Sequence, residues 1–496
     1  MRFPGLHTNK TVNQPSRNRN YSQYLIMTSL PIKSKIRGEI KGFLQIAVPL
    51  VSAQVAQSAT GFADSIMMGH LGAEILAAGG LAALTFQMFL GIVSGVVMGV
   101  SPLVAEAFGA GHKKRVGLIA RQGMVLSIIL SIPTMLMVGG FDSLMGKLGQ
   151  SPTTVTLANQ YLDIILWGFF PALGFAMLRG VLSGISQAAP VMIIVIGGTF
   201  INILGNYILG FGKFGFPRME LAGLGLSSAV SLWLMFLALV FYIMGHKQLQ
   251  TYRIFADLCR FKPQVQLPVR LPMIRKLVAI GVPMAIAIAF EFGLFVVVTY
   301  LMGVLGTDVL AAHQIVLQTI MIIFMVPLGM SYATTARVGQ WLGQQNIGSA
   351  KHSGYVSISM AAIFMAFTGV MLFTYPEQII GLYVDVNNPE NANIVKIATS
   401  ILTVAAFVQV FDGVQKTTMG ALYGLQDTRI PMLLNIAVFW GIGLTTGYLL
   451  GFQFGLGGVG LWIGQSIGVT VASGVFMWRF RKLTGSFGLI KQKSKI

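Results

Sequence analysis

Twelve stretches of the chain carry almost no ionisable side chains. Each is about as long as the twenty or so mostly apolar residues that an α-helix needs to cross a bilayer. They lie near 43–68, 76–105, 118–141, 157–180, 190–211, 221–245, 277–304, 310–336, 353–375, 396–422, 430–451 and 456–478. Only 10% of the 496 residues are charged, against 54% apolar, whereas soluble domains carry about 25% charged residues. Surfaces so poor in charge cannot face water, and the pattern predicts an all-α polytopic membrane protein. Breaker residues mark the span ends: Gly-Ala-Gly at 109–111, Ser151-Pro152, Ala189-Pro190, Asn388-Pro389 and Ile430-Pro431. Pro49 and Pro283 fall inside spans, so bent helices are expected there. The single cysteine, Cys259, leaves no disulfide framework.

The formal charge of +19 suggests nucleic acid until its placement is read. With twelve spans, both chain ends lie on one side. Taking that side as inside leaves only Lys147, Lys213, Arg218 and Lys396, of 34 Lys and Arg, outside, as the positive-inside rule requires. The basic face then meets anionic lipid headgroups, and no nucleic-acid partner is expected. The expected location is the cell inner (plasma) membrane, with both termini cytoplasmic. Residues 1–40 are polar and lack the apolar core of a secretory signal, so a disordered cytoplasmic tail is expected. Met27 is an alternative start to Met1. The segment 246–276, with Pro263, Pro268 and Pro272, reads as a cytoplasmic linker, and 479–496 as a basic tail.

The chain repeats itself. At an offset of 234, Pro49 matches Pro283, Gly69 matches Gly303, Gly72 matches Gly306, Val104 matches Val338 and Gly109 matches Gly343. At 240–241, Leu182 matches Leu422, Gly184 matches Gly424, Pro190 matches Pro431 and Tyr207 matches Tyr448. This predicts an N-lobe at 41–245 and a C-lobe at 277–478, six helices each. Six spans is an even number, so both lobes insert the same way, related by a pseudo-two-fold axis along the membrane normal. Such repeats place a substrate site between the halves and work by alternating access.

Apart from those at span ends, three of the fifteen Asp and Glu lie within spans: Asp64, Glu291 and Asp412. A charge at the centre of a membrane helix costs about 2.5–3.5 kcal/mol on insertion scales, and such acids commonly face a cavity and handle protons or cations. Asp64 stands near the outer end of its span, where an interfacial position is the competing reading. Glu291 lies deep in IAIAFEFGLFVVV, and the spans offer it almost no basic partner. Its repeat mate is Gln57, so the shared fold does not demand the acid. Asp412 has Lys416 four residues on, and that pair alone would stabilise a helix. Asn202 and Asn206 share one helix face, either as interhelical glue or as partners of Asp64.

Other chemistries find little here. There is no HExxH, one cysteine cannot build a structural zinc site, and no GxxxxGK[ST] loop offers a phosphate cradle. No enzyme activity, cofactor or resident metal is expected, apart from a transported monovalent cation.

The motifs AQSATGFADSIMMGHLGAEILAA, PLVAEAFGAG, AFEFGLFVVV, GTDVLAAHQIV and FDGVQKTTMGALYGLQDTRIPM span the chain from about Phe43 to Arg479. Together they resemble the multidrug and toxic compound extrusion (MATE) transporters of the bacterial NorM type. The resemblance implies twelve transmembrane helices in two lobes, and export of organic cations and drugs in exchange for Na⁺ or H⁺. It gives Asp64, Glu291 and Asp412 the coupling role with Asn202 and Asn206 beside them, and Gln57, as the repeat mate of Glu291, is taken as a further supporting polar group. A monomer is expected. The rival reading is a flippase of lipid-linked intermediates, for which a cationic cavity would be expected.

Overall fold

Each of the twelve apolar stretches becomes one long helix in a computed structural model, which describes residues 32–147, 151–255 and 270–493. Helix α1 is Ile32–Leu71. Then come α2 Ala73–Gly109, α3 Lys113–Gly139, α4 Pro152–Gly184, α5 Ala189–Gly210 and α6 Glu220–Gly245. The second half contains α7 Leu271–Leu305, α8 Thr307–Gly343, α9 Ile347–Thr374, α10 Pro389–Gly424 and α11 Arg429–Gln453, then α12 Gly457–Lys493. No strand occurs among the described residues. Helices α2 to α12 are long and apolar enough to cross a membrane. Helix α1 has the length, but Gln45, Gln54, Gln57 and Asp64 dilute its apolar run. One compact unit, beginning at Phe43, holds the helical lobes.

The breaker residues act as their chemistry dictates. Ser151 caps α4, its Oγ accepting from the Thr154 N–H at 3.2 Å, with Pro152 in the first turn. Asn388 opens α10, its Oδ1 accepting from the Glu390 N–H at 3.1 Å. Both supply an acceptor to the free amides of a helix start.

Several boundaries differ from expectation. Residues 32–40 are helical, and the remainder of the expected tail, with Met27, lies outside the described residues. The last helix runs past 478 to Lys493, into the expected basic tail. In the expected linker, 247–250 form a helical turn and Pro272 sits in the first turn of α7, while 256–269, with Cys259, Pro263 and Pro268, lie outside the described residues. The α-helix runs unbroken through Pro49 and Pro283. The interruption falls at Met98–Gly99 in α2. There a Cβ on Gly99 would come within 2.9 Å of the Leu277 carbonyl oxygen, so the close α2–α7 approach requires glycine.

The repeat is written into the backbone. Gly72 and its mate Gly306 have φ of 140° and 132°, a region that disfavours side chains. Ser186 and its mate Gln426 have φ of 64° and 63° in the turns after α4 and α10. Helices α1–α6 and α7–α12 thus form two pseudo-symmetric lobes. Large apolar side chains such as Leu136, Phe200, Phe241 and Ile363 stand exposed on the outer faces of these helices. Such faces suit hydrocarbon rather than water.

The lobes meet where α2 and α8 end. Gly109 abuts the Gln340 backbone carbonyl, and its mate Gly343 abuts that of Glu106. Gln340 Nε2 donates to Gly184 O at 2.9 Å and to Ser186 Oγ at 2.8 Å. Across the axis, Gln426 Nε2 donates to Glu106 Oε2 at 2.7 Å. Glu106 and Gln340 are repeat mates, as are Ser186 and Gln426, so one polar clasp is made twice. Glu106 also pairs with Arg115 at 3.3 Å.

Candidate substrate and ion sites

In the N-lobe, the structure brings Asp64, Asn202 and Asn206 together. Asn206 opens a stretch of π-helix, 206–210, a widening often found at functional sites. Its Nδ2 donates to Asp64 Oδ1 and, at 3.3 Å, to Asn202 Oδ1. Asn202 Nδ2 donates to Ser228 Oγ at 3.0 Å, and Ser227 Oγ donates to the Asn202 carbonyl at 2.9 Å. Both asparagines are buried, and Asn206 Oδ1 has no partner. The asparagine pair therefore serves Asp64 as well as tying α5 to α6. An unpaired buried amide oxygen beside a carboxylate is costly unless something donates to it or coordinates it.

Gln57 is exposed and makes no hydrogen bond to the described residues. One turn earlier, buried Gln54 takes the inward position instead, accepting from Arg179 Nη1 at 2.8 Å. The Arg179 guanidinium in turn stands 5.2 Å from the centre of the Tyr332 ring in the other lobe. No local pattern marks Gln54 or Arg179 in the sequence, where Arg179 reads as an inner-face residue because it lies near a span end.

In the C-lobe, Glu291 on α7 and Asp412 on α10 line one cavity of about 920 Å³, the part open to solvent included. Aromatic side chains form part of its wall, among them Phe290, Phe324, Phe439, Trp440 and Trp462. Trp440 Nε1 donates to the Phe290 carbonyl at 3.1 Å, which fixes its ring against α7. Trp462 Nε1 donates to His313 Nδ1 at 3.1 Å, and the other ring nitrogen meets Thr299 Oγ1 at 3.1 Å. Gln409, Asn435 and Ser466 line the cavity with buried polar atoms that lack partners.

One expectation is corrected here. Glu291 does have a basic partner, and it is Lys416. Lys416 Nζ donates to Glu291 Oε1 at 3.1 Å and Oε2 at 2.9 Å. It also stands 5.0 Å from the centre of the Phe324 ring. The local pairing of Lys416 with Asp412, one turn away on the same helix, gives way to this bidentate bond across to α7. Asp412 makes no hydrogen bond or close ion pair among the described residues and faces the cavity. Lys416 is only 8% exposed and sits within α10, not at the inner membrane face.

Two parallel six-helix lobes, each holding an acid inside its bundle and joined by a clasp at one end, define a membrane transporter by class. The MatE family model matches the chain twice, at residues 49–208 and 283–449, one match per lobe. The chain belongs to the MatE family. It is 51% identical over 449 residues to a probable multidrug resistance protein NorM of Synechococcus sp., covering 90% of this chain and 95% of that one. To its counterpart in Synechocystis sp. it is 47% identical over 468 residues, covering 94% and 99%. Among solved structures it resembles a MATE family transporter of the MOP superfamily in an outward-facing conformation, with a TM-score of 0.81 and 21% identity, covering 92% of this chain and 98% of that one.

Proposed function

We propose that the protein is a secondary active multidrug efflux transporter, not an enzyme, that exports lipophilic cations in exchange for Na⁺ or H⁺. The unpaired carboxylate of Asp412 in an aromatic cavity carries this reading. Aromatic faces and a carboxylate attract an organic cation, and the Lys416 ammonium beside the cavity is held by Glu291, whereas a lipid-pyrophosphate flippase would need positive charge available to its cargo. The multidrug resistance names of the NorM relatives point the same way. The energy comes from an ion gradient, with no cofactor, and the working unit is a monomer.

Alternating access is supported by the clasp. It lies at the end that carries the basic loops, including Lys113, Lys114, Arg115 and Arg429. Positive-inside placement makes that end cytoplasmic, in the inner membrane, with both termini on that side. The conformation is then closed to the cytoplasm. Asp64 with its asparagines, and Asp412 in its cavity, accept a cation from outside. Coupling requires that ion and drug prefer different states.

The test is ethidium transport by proteoliposomes with Na⁺ and pH gradients imposed separately. At least one gradient drives uphill movement. Failure of both, with the protein folded and inserted, overturns the antiport reading.

A further inference from the structure

The cluster of Glu291, Lys416 and Asp412 holds two acids and one base. The lysine touches one acid only. Its ammonium bonds both oxygens of Glu291, while Asp412, one turn back on its own helix, makes no hydrogen bond or close ion pair among the described residues and lines the cavity. The two acids therefore have different partners, which their shared placement in spans does not reveal.

We propose that Lys416 is a resident cation of the C-lobe site: Glu291 holds its ammonium away from Asp412, leaving Asp412 as the one carboxylate that meets an incoming monocationic group. This inference rests on the reading of the C-lobe cavity as a cation site, and it assigns that site a charge number. With both acids ionised and the lysine charged, Glu291, Lys416 and Asp412 carry one net negative charge, which matches one positive charge on the cargo. Lys416 is a positioning residue, and Glu291 acts through it rather than on the cargo.

The geometry makes this distinguishable from two equivalent acids. A glutamine at 291 removes the charge that holds Lys416. The freed ammonium then has Asp412 within one helical turn, where a buried unpaired charge draws toward its opposite. The cargo's carboxylate is lost to an internal competitor. Removing the lysine as well returns Asp412 to the cavity.

Ethidium, with one positive charge, and propidium, the same ring system with two, serve as probes, with binding read by dye fluorescence on purified, monodisperse protein. Ethidium affinity is expected to fall by at least about tenfold in Glu291→Gln and in Asp412→Asn. The double variant Glu291→Gln with Lys416→Met recovers binding to within about threefold of the parent. Lys416→Arg keeps the parent's preference. Lys416→Met alone leaves two free carboxylates and raises the propidium-to-ethidium affinity ratio by at least about tenfold.

A double variant that folds but binds as weakly as Glu291→Gln overturns the proposal, because Glu291 would then contact the cargo itself. If Glu291→Gln does not fold, the Lys416→Met ratio decides, and an unchanged ratio overturns it. Parent protein that binds neither dye defeats the cation-site reading itself, and the inference falls with it.

Discussion

Gln340→Leu tests whether the clasp sets which side of the membrane the passage faces. The amide of Gln340 is 3% exposed, and its Nε2 makes two bonds across the lobes, to Gly184 O and Ser186 Oγ. Leucine keeps much of the volume and loses both bonds. A buried hydrogen bond contributes about 0.5–1.5 kcal/mol net, so the closed end loses about 1–3 kcal/mol relative to the state in which the lobes part there. That corresponds to a shift of about 5- to 150-fold in the equilibrium between the two states. The natural single cysteine allows a clean readout: Cys259→Ser removes it, and Met321→Cys places a thiol in the wall of the C-lobe cavity. An impermeant maleimide is then applied to right-side-out and everted vesicles. Labelling from the cytoplasmic side should rise and labelling from the outside should fall. Rates that stay within about twofold of the parent from both sides would refute the reasoning, because bonds made in only one state must shift the balance when removed. Ser186→Ala deletes one of the two bonds and should give a smaller shift with the same sign.

Asp412→Asn should abolish ethidium efflux from cells while the protein still elutes as a folded, monodisperse species. Retained efflux would remove Asp412 from the transport path. Asn206→Ala takes away a buried donor to Asp64 and to Asn202, and should destabilise the N-lobe by about 1–3 kcal/mol. A thermal shift in detergent reads this as a lower Tm, and an unchanged Tm would show that the asparagine is dispensable to the fold.

Much of this architecture could be read from residue order. Lipid admits only long apolar helices, so the spans appear as runs and their ends as Ser151-Pro152 or Asn388-Pro389. The repeat at 234 to 241 appears because both lobes solve the same packing problem, down to the φ values of Gly72 and Gly306. Asp64, Glu291 and Asp412 stand out because a carboxylate in hydrocarbon needs a reason. The asparagines could be placed on one face of α5, and the structure joins them to Asp64.

The charge partners could not be read this way. Periodicity tells which residues of one helix share a face, and on that basis Lys416 pairs with Asp412. Which helix stands opposite is decided by packing between segments far apart in sequence, and α7 presents Glu291 from 125 residues away. The same holds for Gln54 with Arg179 and for Gln340 with Ser186, neither of which any local pattern suggests. The sequence by itself determined that the chain lies in a membrane, that it is built twice over, and that three acids stand within its spans, because the solvent imposes those demands residue by residue. Only the tertiary structure decided which acid bonds the lysine, because a charge chooses its partner by distance in space, and helix packing sets that distance.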